Sequence, residues 1–266
     1  MEPTTYDTPG HLDLQVRVPS GTVFIAASAS TTTTLEISGE RNPDELSVSL
    51  EPGPNGQRLT VERRRTGLFG SLVAKNLNIR VTVPEGTNVR VDGTSIDLVA
   101  QGSLGAVAFR TATGDASVEN VVGDAEAKVT SGDLKVEHVG GTLSFHSASG
   151  DVTVGSVGGS TTARTASGDV KLGTANSDVR ITTVSGDIAV ATLLPGGSAN
   201  LQAVSGDIEV GVATGTSVYL DLSSLSGSTK SDLDVSNAPP STKGSGKAEI
   251  KAATVSGDIQ VRRSPS

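Results

Sequence analysis

A Gly-Asp step recurs at a fixed interval through the middle of this chain: Gly114-Asp115, Gly132-Asp133, Gly150-Asp151, Gly168-Asp169 and Gly186-Asp187 follow one another at 18 residues. A period of this length means one structural unit per repeat, each covering the face its neighbour leaves open, so the chain must coil back over itself. Within each 18 lies a weaker nine-residue copy. Gly150-Asp-Val-Thr-Val-Gly-Ser-Val-Gly158 is followed by Gly159-Ser-Thr-Thr-Ala-Arg-Thr-Ala-Ser167 before the Gly-Asp returns. The third, fifth and eighth places of a nonad are apolar or small: Leu134, Val136 and Val139; Leu143, Phe145 and Ala148; Val152, Val154 and Val157; Val179, Ile181 and Val184. Polar or tiny residues stand between them. Alternation at period two is the mark of a half-buried strand, so a nonad reads as one short strand and one turn, with these three places as core.

Residues 18 apart then stack about 4.8 Å from each other, the spacing of adjacent strands. Val118, Val136, Val154, Leu172 and Val190 are predicted to share one dry column. Two opposed strand faces fill a thin core that needs few aromatics, which suits a chain with 2% aromatic residues and no Trp. Phe109 and Phe145 fall on the fifth place and are read as core. No window repeats apolar residues at helical spacing, so the fold class expected is all-β: a β-solenoid of stacked short strands, in 18-residue coils of two nonads.

Outside the array the pattern loosens. Residues 1–10 are a polar, Pro-containing lead, expected to be disordered. One domain is expected over 11–263. Residues 11–92 form an irregular β cap with strands at Leu12–Val18, Thr22–Ala27, Thr33–Ser38, Leu46–Leu50, Leu59–Glu62 and Asn78–Val83. The regular array runs from 93 to 215. From 216 to 263 come irregular coils in which Gly227 and Gly257 are 30 apart, with a flexible loop over 236–246 that contains Pro239-Pro240. The cap and the segment 216–250 are placed to guard the ends of the stack, whose open strand edges otherwise imply weak self-association.

The phrases Val18-Pro-Ser-Gly-Thr-Val23 and Val81-Thr-Val-Pro-Glu-Gly-Thr87, the serial Ser-Gly-Asp-(Val/Ile) steps and the terminal Thr254-Val-Ser-Gly-Asp-Ile-Gln-Val-Arg262 resemble the bacterial DUF4097 family of β-strand-repeat proteins, in its actinobacterial form. The resemblance covers residues 11 to 263. It implies a β-solenoid, and the family carries the label "putative adhesin".

The feature most suggestive of chemistry is the aligned column Asp115, Asp133, Asp151, Asp169, Asp187, Asp207 and Asp258. Stacked carboxylates repel unless hydrogen-bonded or bridged by cations. The structural reading is that each Asp follows a turn Gly and accepts bonds from the backbone or from Ser131, Ser149, Ser167, Ser185, Ser205 and Ser256, two residues earlier. The alternative is calcium between turns, but one Gly and one Asp per coil is a sparse set for an ion that takes six to eight oxygens. Neither metal nor cofactor is therefore expected. A phosphate-binding Gly loop needs a helix after it, and none is available. The outward fourth places Ser117, Lys135, Thr153, Lys171 and Ala189 form no Thr ladder of the ice-binding kind.

Catalysis finds little support. His11, His138 and His146 are scattered, and a polysaccharide-cleaving β-helix would want clustered acids and aromatic subsites that two Tyr and no Trp do not supply. A net charge of −8 argues against nucleic acid as a partner. Two patches are candidate contacts: the basic column Lys128, His146 and Arg164, and Arg63-Arg-Arg-Thr-Gly-Leu-Phe-Gly-Ser-Leu72, where Leu68, Phe69 and Leu72 either cover a coil end or dock a partner or an anionic membrane surface. Residues 1–20 carry no apolar core of secretory length and no 18-residue apolar run exists, which predicts a cytoplasmic protein without a transmembrane segment, at the cell surface only by another export route. The sequence thus leads to a non-enzymatic scaffold or binding protein with an unidentified protein or envelope partner. A calcium-stabilised surface adhesin and, more remotely, a carbohydrate-active β-helix enzyme are the alternatives.

Overall fold

The computed structural model describes residues 3–39, 46–53, 56–63, 77–233 and 246–264, and among them it is all-β, with 25 strands and no helix. Contacts divide the chain into two compact units, Met1–Gly132 and Asp133–Ser266. In the second unit, two strand faces stack coil upon coil in parallel register. On one face Leu134–Val139, Val152–Val157, Val170–Ala175, Ile188–Leu193 and Ile208–Val212 follow in order. On the other are Leu143–His146, Thr161–Ser167, Val179–Ser185 and Ser198–Ser205. The predicted column is present: Val136, Val154, Leu172 and Val190 are buried and continue through Val210 and Val261. Phe145 is buried beside Ala163, and Phe109 in the first unit beside Ala127, so a large side chain is matched by a small one on the next coil.

The eighth place needs correction. In the first nonad of a coil it faces inward, as Val139 and Val157 do, because the chain bends after the fifth place. In the second nonad the alternation runs on unbroken, so the seventh place is buried (Thr165, Thr183) and the eighth is turned out. Ala148 and Val184 are therefore exposed and not core.

The coils are joined at the Gly-Asp corners by one repeated device. Gly168 N–H donates to the carbonyl of Ser185 at 3.0 Å, and Val170 N–H to that of Asp187 at 2.9 Å. Between them the ladder is interrupted. The Gly168 carbonyl faces the Cα of Gly186 so closely that a Cβ there would run into it, and Gly186 holds φ +144°, a conformation L side chains rarely adopt. Asp187 N–H donates instead to Asp169 Oδ1 at 2.9 Å. The same bond links Asp151 to Asp133, Asp169 to Asp151 and Asp207 to Asp187, each at 2.8 Å, and Asp258 to Asp207 at 2.7 Å. In the first unit Asp115 N–H donates to Asp97 Oδ1 at 3.1 Å. The Asp column is thus an acceptor column, fed through these bonds by the backbone N–H of the next Asp.

Stacking order departs from chain order at the end of the second unit. Lys247–Ser256 lies between Ser198–Ser205 and Ser217–Ser226, and Ile259–Arg263 lies between Ile208–Val212 and Thr229–Ser231. Among the described residues, the last segment in sequence is therefore the penultimate coil in space, and the segment 217–231 is outermost. The residues account for this. Position 228 is Ser where the other coils have Asp; Ser228 N–H donates to Asp258 Oδ1 at 2.8 Å but offers no carboxylate onward. Thr229 and Ser231, in register with the buried Ile259 and Val261, are polar where inner coils are apolar.

The first unit shows the same habit. Leu12–Arg17 lies between Gly56–Arg63 and Asn88–Asp92, and Ser20–Ser28 between Asn78–Pro84 and Ser95–Leu104. Antiparallel strands then cover the outer coil: Leu46–Gly53 pairs with Gly56–Arg63, and Thr32–Ser38 with Asn78–Pro84. Of the polar lead, residues 3–10 are described, and they include a strand. Thr4–Asp7 completes the edge of Thr32–Ser38, and Thr8 is buried with its hydroxyl 2.8 Å from that of Thr33. The segments 64–72 and 236–245, with Pro239-Pro240, lie outside the described residues.

Three measurements test this account. Gly186→Ala should destabilise by about 2 kcal/mol or more, from left-handed strain and the carbonyl contact, and Asp187→Ala by about 1 kcal/mol, from the orphaned Asp207 N–H; urea melts give both values. Asp258 is held below the usual carboxylate range, first by the Ser228 N–H and then by the Ser228 hydroxyl, with Lys230 adding attraction. Its contribution is complete above the ordinary carboxylate pKa and is lost as pH falls through the lowered value, so Asp258→Asn should flatten the acid limb of stability below about pH 4. Finally, the combined change Ser228→Asp, Thr229→Ile and Ser231→Val should turn the outer coil into a template and raise self-association in light scattering relative to the parent chain.

Candidate functional site

The outward face of the second-nonad sheet in the second unit carries the least expected feature. The strands Val179–Ser185, Ser198–Ser205, Lys247–Ser256 and Ser217–Ser226 are in parallel register, with Ser185, Ser205, Ser256 and Ser226 aligned. One residue before each Ser stands an apolar side chain: Val184 is 52% exposed, Val204 48%, Val255 47% and Leu225 82%. Ala166 precedes Ser167 in the same way, and it too is exposed. The stripe therefore advances one side chain per coil, about 4.8 Å at a time, and grows bulkier toward the outer coil. Ala253 and Ser223 extend it inward along the strands. On one flank runs the Ser row and then the Asp column around the corner; on the other stand Arg180 and Lys251, the latter 3.0 Å from Glu249 Oε1.

The stripe is the direct result of strand parity. From Ile181 inward and Thr182 outward, Thr183 is inward and Val184 outward, and the same count holds at Val204, Val255 and Leu225. An isolated exposed valine has no meaning, but four in register on one flat face form a continuous apolar surface. The recurring Val-Ser-Gly-Asp phrase held this signal, and counting from the buried fifth place would have found it.

The other candidate residues are placed as follows. Each Asp whose bond is described above presents Oδ1 to a backbone N–H, and among the described residues no group of three or more His, Asp or Glu side chains is placed to hold a metal ion. The same capping occurs at the opposite corner, where Asp178 Oδ1 accepts from Ser198 N–H at 3.1 Å and from its hydroxyl at 2.7 Å. Lys128 is not a free cation: its Nζ is 2.5 Å from Glu126 Oε1, while Arg110 Nη2 is 2.9 Å from Glu126 Oε2. Those two bonds hold Glu126 below the usual carboxylate range. His146 stands in register with Arg164. His138 Nδ1 is 2.7 Å from the Ser156 hydroxyl, and His11 Nε2 is 2.8 Å from Asn88 Nδ2, which also donates to Asp13 Oδ1 at 3.0 Å. Of the Arg63–Leu72 patch, only Arg63 falls within the described residues. No helix of the described residues is long and apolar enough to cross a membrane, which says nothing of membrane-crossing strands.

No curated protein matches this chain. Solved structures do. A protein from Parabacteroides distasonis ATCC 8503 described as a "putative lipid binding protein" aligns with a TM-score of 0.49 at 12% identity, covering 98% of this chain and 96% of its own. A "putative adhesin" from Bacteroides fragilis NCTC 9343 aligns with a TM-score of 0.46 at 13% identity, covering 97% and 95%. A second "putative adhesin" from Parabacteroides distasonis ATCC 8503 aligns with a TM-score of 0.42 at 13% identity, covering 97% and 95%. The family model described as Toastrack DUF4097 matches residues 11–262, so the chain belongs to the Toastrack DUF4097 family.

Proposed function

We propose that this protein is a non-enzymatic binding scaffold that holds side chains in rows at strand spacing for a protein or envelope partner. The observation that carries the reading is the exposed stripe Val184, Val204, Val255 and Leu225, set on strands that are hydrogen-bonded along both edges or, at the outer coil, along one. Rigidity matters here because side chains fixed by a ladder lose little freedom on binding, so a modest apolar area is used efficiently. The carboxylates point the same way. At each of these corners one carboxylate oxygen accepts a backbone N–H, which gives the column a part in holding the coils together.

The competing calcium reading rests on the same column and makes an opposite forecast. An ion bound to the native state would raise its melting temperature by mass action. With backbone N–H groups as the partners of the carboxylates, chelator should leave the melting temperature unchanged and millimolar calcium should raise it by no more than about 1 °C. A calcium-dependent rise of several degrees would favour the calcium-stabilised adhesin instead.

For the binding surface, the test is replacement of Val184, Val204, Val255 and Leu225 by Ser. The melting temperature should change little, because none of the four is in the core. Cross-linking and co-purification from the native host, with cell fractionation to locate the complex, should then recover a partner with the parent chain and lose it with the variant. A partner retained equally by both would place binding elsewhere on the molecule.

A further inference from the structure

The intercalated coil of the second unit occupies a slot built entirely from segments that precede it in the chain. One wall is Ser198–Ser205 with Ile208–Val212, and the other is Ser217–Ser226 with Thr229–Ser231. Both walls bond the occupant at its corner. Gly206 N–H donates to the Ser256 carbonyl at 3.0 Å and Asp258 N–H to Asp207 Oδ1, while Gly257 N–H donates to the Ser226 carbonyl at 3.1 Å and Ser228 N–H to Asp258 Oδ1. The occupant also fills the core, with Ile250, Ile259 and Val261 fully buried. Its far end is fastened by Ser264, whose N–H donates to the Val212 carbonyl at 2.9 Å and whose hydroxyl donates to that of Ala191. An empty slot would expose Leu201, Ile208 and Val210, all buried at present, and leave two strand edges unpaired.

None of these contacts depends on the occupant belonging to the same chain. Its covalent tie is the step from Leu233 to Gly246, which in extended form reaches about 45 Å. That span is long enough to return to its own slot or to enter a neighbour's.

We propose that this slot is a strand-acceptor site whose second ligand is the 247–264 segment of another copy, so that the protein assembles by reciprocal exchange of its intercalated coil. The recognition code is the inward series Ala248, Ile250, Ala252 and Thr254, the Gly257-Asp258 corner and the inward pair Ile259 and Val261. The exchanged state keeps every bond of the closed monomer, so the two differ mainly in the effective concentration of the segment, and assembly is favoured by concentration and by refolding from an opened state.

The chain has no Cys, which allows an unambiguous test. Ser205 and Ser256 are exposed register partners across one wall of the slot, at a spacing that accommodates a disulfide. Full-length chains carrying Ser205→Cys and differently tagged full-length chains carrying Ser256→Cys are unfolded, mixed, refolded and oxidised. Exchange predicts a mixed disulfide whose yield rises roughly tenfold between about 10 and about 100 µM protein, as a bimolecular step requires against an intramolecular one. A chain bearing both cysteines should close on itself when refolded dilute. Pairing Ser167→Cys with Ser256→Cys separates the thiols by three register steps and sets the background of random collision. A 205–256 yield no higher than that background, with the doubly substituted chain still closing, overturns the proposal. Where the cysteine variants do not fold, the decision passes to the unmodified full chain refolded with a labelled peptide of residues 246–264. Saturable retention of that peptide, lost when it carries Gly257→Ala, is the expected result; no retention overturns the proposal.

Discussion

A carboxylate standing in for a backbone carbonyl is the interaction on which the rest of this molecule depends. Stacking coils at strand spacing forces the chain to turn sharply twice per coil, and at a sharp turn the peptide ladder cannot continue, since one carbonyl points into its neighbour's Cα. Glycine makes that approach sterically feasible, and the following Asp then accepts the N–H left without a partner. The two residues solve one geometric problem together, which is why they recur as a pair. The solution also settles the repulsion among stacked carboxylates, because a partially positive N–H lies between each one and the next. The columns of core side chains are a consequence: only when every corner repeats in register do Val154, Leu172 and Val190 fall above one another.

Reading the fold from the sequence succeeded where one local rule repeats and failed where the rule is broken by context. The 18-residue period, the inward third and fifth places and the strands between residues 12 and 84 were all visible, because each leaves an alternating imprint. Val184 was misassigned because one nine-residue template was laid over two nonads of different shape; the first bends after its fifth place and the second does not. Thr4–Asp7 left no imprint, since a strand that only completes an edge has no apolar side to show. The out-of-order threading was hidden because the Gly206, Gly227 and Gly257 corners look alike. The difference lay in one residue, Ser228 in place of Asp, and its meaning emerges only once the direction of the Asp-to-Asp bond is known.

That threading changes how the second unit can form. Interior coils meet partners 18 residues away, whereas Asp258 meets Asp207 across 51 residues and Ser228 across 30. Extending a loop from 18 to 51 residues adds only about 0.9 kcal/mol of closure entropy, so the arrangement is inexpensive at equilibrium. Its effect is on order of assembly. The outer coil 217–231 has no resting place until the segment after it arrives, which makes the end of the unit a single cooperative event involving both segments. The first unit has the mirror property, with the coil of residues 12–28 waiting for the segments on either side of it.

Intercalation also decides where such a chain can change length over evolutionary time. A duplication or loss of one 18-residue period among residues 134–205 would add or remove a complete layer whose two neighbours present matching corners, so the remainder of the second unit is undisturbed. The same event at residues 247–264 would leave a second occupant with no slot, and at 217–231 it would produce two terminators. The array is therefore extensible only from within. Its interior can be lengthened or shortened by whole layers, while the segments that close the unit are inherited as a fixed set.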